Sequence, residues 1–233
     1  MKALKIFLTG ALAISLLASS GCSSMTNTGK GALIGGGGGS ALGAGIGALI
    51  GGGKGAGIGA AIGAAVGAGA GTLIGNKMDK QKKQLEAELA EKAQVETVQD
   101  QNGLQAIKVT FNSGILFPFN GTSLSQSAKQ DLTTFASSLI NNPQTDVQIF
   151  GYTDNVGSYA ANEKVANGRA DAVRTYLINS GVAASRITAQ GIPMADYVAS
   201  NDTSEGRAQN RRVEIYITAS PQMIHAAENG TLQ

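Results

Sequence analysis

Two side chains in this sequence are placed to hold a small charged ligand. Asp154 lies in the run Gly151-Tyr152-Thr153-Asp154-Asn155, and Arg169 follows fifteen residues later. The stretch between them reads as the end of a strand, a loop and a helix, which would hold the two charges at a fixed separation. Such a pair can grip a zwitterion: the carboxylate takes an ammonium, and the guanidinium takes a carboxylate through two parallel hydrogen bonds. Asn162 stands seven residues before Arg169 and shares its helix face. Amides at the start of that helix would also favour an anion. The spacing alone equally describes a surface ion pair of little energetic weight.

The elements that must position this pair can be read from periodicity and turn residues. Val95 to Val98 and Leu104 to Phe111 read as strands around the turn Asp100-Gln101-Asn102-Gly103. Ile115 to Phe119 is a short apolar passage with Pro118 inside it, an edge or irregular segment. Ser125 to Asn141 carries helical spacing through Ala128, Leu132, Phe135, Ala136 and Leu139. Val147 to Tyr152 reads as a strand. Ser158 to Asn179 reads as a helix with Val165, Val173, Tyr176 and Leu177 inward, stopped by Gly181. Arg186 to Gln190 is a further strand. After a polar loop, Arg212 to Thr218 alternates Val213, Ile215 and Ile217, as a half-buried strand would. The expected fold class is α/β (α+β): a sandwich of a small mixed sheet with helices packed on one face.

Several separated motifs in this stretch occur together and in order. They are Gly151-Tyr-Thr-Asp-Asn, Asn162, Gly168-Arg169-Ala170-Asp171-Ala172-Val173, Gly181-Val-Ala-Ala-Ser-Arg-Ile187, Gln190-Gly191, and Asn201 through Asn210-Arg211-Arg212-Val213-Glu214-Ile215. Residues from about Leu104 to Ala219 thereby resemble the OmpA-like peptidoglycan-binding domain. The resemblance implies a pocket for the free amino-acid end of diaminopimelate in the peptidoglycan stem peptide. Asp154 would receive the ammonium and Arg169 the carboxylate. Asn120, Thr153, Asn162 and Arg211 match positions that line the pocket in that family, although Asn and Thr are equally at home as turn residues and caps. The chain departs from the family pattern at Tyr152, where His is frequent, and at Val156, where a small hydroxyl residue is frequent. It departs again in the loop Pro193-Met194-Ala195-Asp196-Tyr197.

The N-terminal part has a different composition. Lys2 and Lys5, the apolar run Ile6 to Ala18 and the small residues Ser19-Ser20-Gly21 read as a secretory signal over residues 1–21. Cys22, the sole cysteine, follows directly; it cannot form an internal disulfide and resembles the acylation site of a bacterial lipoprotein. Ser19 occupies the position where that pattern usually has Leu. Ser23 rather than Asp after the cysteine favours outer-membrane placement, with the C-terminal domain in the periplasm. Residues 22–30 are expected to be the lipidated N-terminus and a linker. From Gly31 to Gly75 a glycine recurs at every fourth position without a break, with Ala, Ile and Leu between. That small-xxx-small spacing lets helices approach closely. Gly51-Gly52-Gly53-Lys54-Gly55 is the turn of an expected helical hairpin, with arms of about 20 residues that each span ~30 Å. The segment resembles the glycine-zipper region ahead of OmpA-like domains in some lipoproteins. Residues 76–94 alternate in charge and are expected to form a solvated helical spacer with pairs such as Lys82–Glu86. The domain is expected over 95–219, with a polar tail over 220–233.

Composition narrows the function. Without Lys2 and Lys5 the chain has 16 basic and 16 acidic side chains, and it has no Trp, so nucleic acid is not an expected partner. The only histidine, His225, sits in the tail, which removes Ser-His and Cys-His dyads and His- or Cys-based metal clusters. No cofactor, metal or catalysis is expected. Two roles remain. One is a tether, with lipid in the outer membrane and the domain on peptidoglycan. The other is an assembly component in which the glycine comb builds a homo-oligomer and the wall domain only positions it.

Overall fold

The computed structural model describes residues 68–100, 103–118 and 121–232. The expected signal segment, Cys22, the glycine comb up to residue 67 and Asn120 lie outside the described residues. The chain runs α1 (Ala68–Glu88), β1 (Gln94–Gln99), β2 (Gln105–Asn112), α2 (Ser113–Leu116), α3 (Gln126–Asn141), β3 (Thr145–Tyr152), α4 (Tyr159–Asn179), a 3-10 turn (Ala184–Arg186), β4 (Ile187–Ile192), α5 (Ser204–Asn210), β5 (Arg212–Ala219) and α6 (Pro221–Glu228).

The strands form one five-stranded mixed sheet in the order β1-β2-β5-β3-β4. β1 and β2 are an antiparallel hairpin, with Gln99 opposite Gln105. Gly103 takes φ 71° in the turn, and the Asp100 carboxylate accepts the Leu104 N–H at 2.9 Å. β5 lies between β2 and β3, antiparallel to both. β3 and β4 are parallel, so α4 must cross over between them. Ile107, Val109 and Phe111 of β2, Val147 and Ile149 of β3, and Val213, Ile215 and Ile217 of β5 form one buried apolar face. Against it pack Leu132, Phe135 and Leu139 of α3 and Ala170, Val173 and Leu177 of α4. The architecture is the expected mixed sheet with helices on one face.

Four local expectations need correction. Residues 76–94 are not a solvated spacer. A single helix crosses the expected boundary at residue 75, and it buries Ala70, Ile74, Met78, Gln81 and Leu85, with Leu89 just past its end. Steps of three and four residues put these on one stripe; the charges Lys82 and Glu86 occupy the other side, paired with each other. Residues 220–233 are not simply a polar tail: Ser220 caps α6, Pro221 starts it, and Met223 and Ala227 enter the core. The passage after β2 opens with a short helix rather than an extended edge, because the Asn112 side chain accepts the Gly114 N–H and starts a turn. β5 is buried on both faces, its second face carrying Arg212, Glu214, Tyr216 and Thr218.

Candidate functional site

Two glycines set the geometry of the site. A Cβ on Gly151 would stand 2.4 Å from the Ala166 carbonyl oxygen, and one on Gly191 would stand 2.4 Å from the Asn167 backbone nitrogen. Both are backbone contacts, which cannot swing aside. The two glycines therefore let α4 settle directly onto the ends of β3 and β4, where the Asn167 side chain accepts the Gly191 N–H at 2.9 Å. That close approach brings Asn162 and Arg169, on the inward face of α4, beside the loop that leaves β3.

A cavity of about 720 Å³ opens there, lined among others by Thr153, Asp154, Asn162, Arg169, Arg207 and Arg211. Five of the six expected site residues share it; the sixth, Asn120, lies outside the described residues. Arg207 and Ser204 line it too, and neither was singled out from the sequence. They sit on α5, in a stretch expected to be loop. Its signals were the Thr203 cap, whose hydroxyl accepts the Gly206 N–H, and the four-residue spacing of Arg207 and Arg211.

Asp154 is only 7% exposed. One carboxylate oxygen accepts the Val156 N–H at 3.0 Å, and the other accepts from the Arg211 guanidinium at 2.7 Å. The carboxylate thus pairs with Arg211 rather than Arg169. Arg169 is 4% exposed; its Nε donates to the Gly121 carbonyl at 3.1 Å and its Nη1 to the Ser113 hydroxyl at 3.4 Å. Its guanidinium carbon stands 5.4 Å from the centre of the Phe117 ring. No carboxylate lies within ion-pair distance of Arg169 among the described residues. Burial, and then the neighbouring Arg211, lowers its pKa, while Asp154 acts in the opposite direction. A guanidinium keeps its proton regardless. Both Nδ2 hydrogens of Asn162 go to the Val156 and Ser158 carbonyls, which leaves its side-chain oxygen to accept. The Thr153 hydroxyl accepts the Met194 N–H at 3.0 Å and so ties the 193–197 loop to the wall of the site.

The departures from the family pattern fall around this cavity in different ways. Tyr152 does not line it, because strand alternation turns Tyr152 to the far face of the sheet with Phe150 and Tyr216. Val156 does line it and is 61% exposed. None of residues 193–197 lines it.

Residues 116–211 match the OmpA family model, and residues 1–79 match a YMGG-like Gly-zipper model. The globular part is thus similar to OmpA family domains, and the stretch that precedes it in sequence is similar to Gly-zipper segments. Among individual relatives, the chain is 40% identical over 148 residues to the probable lipoprotein YiaD of Escherichia coli (strain K12), covering 64% of this chain and 65% of that protein. It is 40% identical over 112 residues to the peptidoglycan-binding protein ArfA of Mycobacterium tuberculosis, covering 48% and 34% respectively. Among solved structures, the cell wall anchor of the T6SS from Pseudomonas aeruginosa aligns with a TM-score of 0.51 at 28% identity, covering 60% of this chain and 99% of that one. The chain spans less than two thirds of the length of both curated relatives.

Proposed function

We propose that this protein is a non-catalytic tether that holds peptidoglycan through the diaminopimelate end of its stem peptide, with a lipid on Cys22 anchoring it in the outer membrane. The observation that carries the reading is the buried Arg169 guanidinium, which has neutral partners only and shares one cavity with Asp154. A ligand carboxylate would supply the counter-charge that Arg169 lacks, and the ligand ammonium would join Asp154. Asn162 and Thr153 line the same cavity and add polar contacts. The names of ArfA and of the cell wall anchor, two proteins with similar domains, point the same way.

The test is capture of the full chain on purified sacculi, with Asp154→Asn and Arg169→Lys alongside. These variants keep shape better than alanine, which at position 169 would also strand the Gly121 carbonyl. Asn cannot offset an ammonium, and Lys cannot make the two-pronged contact. Each should cost ~2–5 kcal/mol of binding, with the thermal melt little changed. Undiminished capture by both variants would overturn the site assignment. Release of soluble muropeptides from the sacculi would overturn the non-catalytic reading.

A further inference from the structure

The charges lining the cavity do not balance for a simple zwitterion. Three guanidiniums, those of Arg169, Arg207 and Arg211, face one carboxylate, that of Asp154. An ammonium and a carboxylate together add no net charge, so a zwitterionic end leaves the excess of two positive charges untouched. Arg211 loses part of its present partner when an ammonium joins Asp154. Arg207 has no partner carboxylate among the lining residues, its electrostatic neighbour being the exposed Glu205 outside the cavity lining. Arg207 is half-buried, its Nη1 donates to the Asn201 carbonyl at 2.8 Å, and it forms no ion pair among the described residues. Arg207 and Arg211 are four residues apart at the end of α5, so both side chains reach the cavity from one side. The space is also larger than one amino-acid head needs: about 720 Å³ falls in the range that encloses a drug-sized ligand.

We infer that Arg207, assisted by Arg211, forms a second anion subsite that takes the glutamyl α-carboxylate of the stem peptide, beyond the ammonium–carboxylate end of its diaminopimelate. The ligand class is therefore an anionic peptide with one ammonium and two carboxylates in reach of the cavity. This rests on the zwitterion reading above and adds a residue and a specificity to it. Forked donation to a carboxylate is what a guanidinium does best, and a carboxamide in the same place offers no charge and one oxygen.

The experiment compares two synthetic tripeptides, L-alanyl-γ-D-glutamyl-diaminopimelate with the glutamyl α-carboxylate either free or converted to the carboxamide. Both keep the diaminopimelate end intact. Calorimetric titration of the full chain should show the free acid binding ~10-fold more tightly than the amide. Arg207→Gln should reduce that ratio to about one, whereas Arg207→Lys should retain most of it. Arg169→Lys should weaken both peptides by the same factor. A wild-type ratio near one overturns the inference, as does a ratio unmoved by Arg207→Gln. So does equal loss of both peptides in Arg207→Gln, which would make Arg207 a structural residue. Binding of neither peptide by a chain that still captures sacculi through Asp154 overturns the inference and spares the tether. Capture that ignores Asp154 removes both.

Discussion

Arg212 and Glu214 stand two residues apart on the face of β5 away from the helices, each about 4% exposed, with Nε 2.7 Å from the carboxylate. The second oxygen of Glu214 accepts from the Tyr216 hydroxyl at 2.8 Å, and the Arg212 guanidinium lies 3.8 Å from the centre of the Tyr152 ring. Arg212 also donates to the Asp196 carbonyl and so holds the 193–197 loop. Removing one partner of such a pair strands the other charge, so Glu214→Ala should cost ~3–5 kcal/mol in a denaturant melt. The two phenols make a pH prediction. Burial first, and then Glu214, raises the pKa of both Tyr152 and Tyr216 well above 10.0. The folded chain therefore holds these protons more tightly than the unfolded chain. The stability so gained is complete below pH 10 and is lost as pH rises above it. Phenolate absorbance from these residues should appear together with loss of the circular dichroism signal. Phenolate formation by Tyr152 or Tyr216 near pH 10 in a chain that stays folded would contradict this.

At the scale of elements, the strands and long helices that carry Asp154, Asn162 and Arg169 were legible, because Val147 to Tyr152 and the run after Ser158 have clear periods and caps. α5 was not legible. It is short and polar and holds Gly206, which is there because the Ser200 carbonyl oxygen passes 1.9 Å from where its Cβ would be. A glycine demanded by tertiary contact looks, in sequence, like a glycine in a loop. The inward face of α4 was only partly legible for a related reason: it carries Asn162 and Arg169, which polarity assigns to the surface, while Val165 and Tyr176 stay partly exposed. The same logic separates two glycines by experiment. Gly151→Ala drives a Cβ into the Ala166 carbonyl, so it should cost ~1–3 kcal/mol and weaken ligand binding by moving α4 off Asp154. Gly71→Ala on α1 meets nothing within 4 Å and should gain ~0.5–1 kcal/mol from helix preference alone. Thermal melts of both variants check the signs. Arg186 gives a third case, since its guanidinium donates to the carbonyls of Leu139, Asn142 and Thr145 and so satisfies the C-terminal end of α3. Arg186→Ala should cost ~1–3 kcal/mol in a thermal melt by removing these donors, although the Asn142 carbonyl keeps the Thr145 hydroxyl.

At the scale of the whole molecule, the outstanding feature is that α1 is part of the globular unit. Charge alternation after residue 76 predicts a solvated spacer, because the apolar stripe that contradicts it starts before that point, at Ala70 and Ile74. Ile74, Met78, Leu85 and Leu89 are all fully buried in the core. Asp79 accepts from the Gln105 side chain at 2.6 Å, and Lys92 pairs with Asp131 at 2.6 Å. Residues 68–94 thus add no free reach to the proposed tether. Burying four such side chains stabilises by ~1.5–3 kcal/mol each, an upper estimate of about 6–12 kcal/mol in all. That is comparable to the ~5–15 kcal/mol that separates folded from unfolded states in ordinary domains. A chain beginning at Val95 should therefore fail to melt cooperatively and should bind a hydrophobic dye, whereas one beginning at Ala68 should fold and keep the Asp154 site. Equal melting temperatures for the two would mean that α1 only rests on the domain, and the free-spacer description would then be the right one.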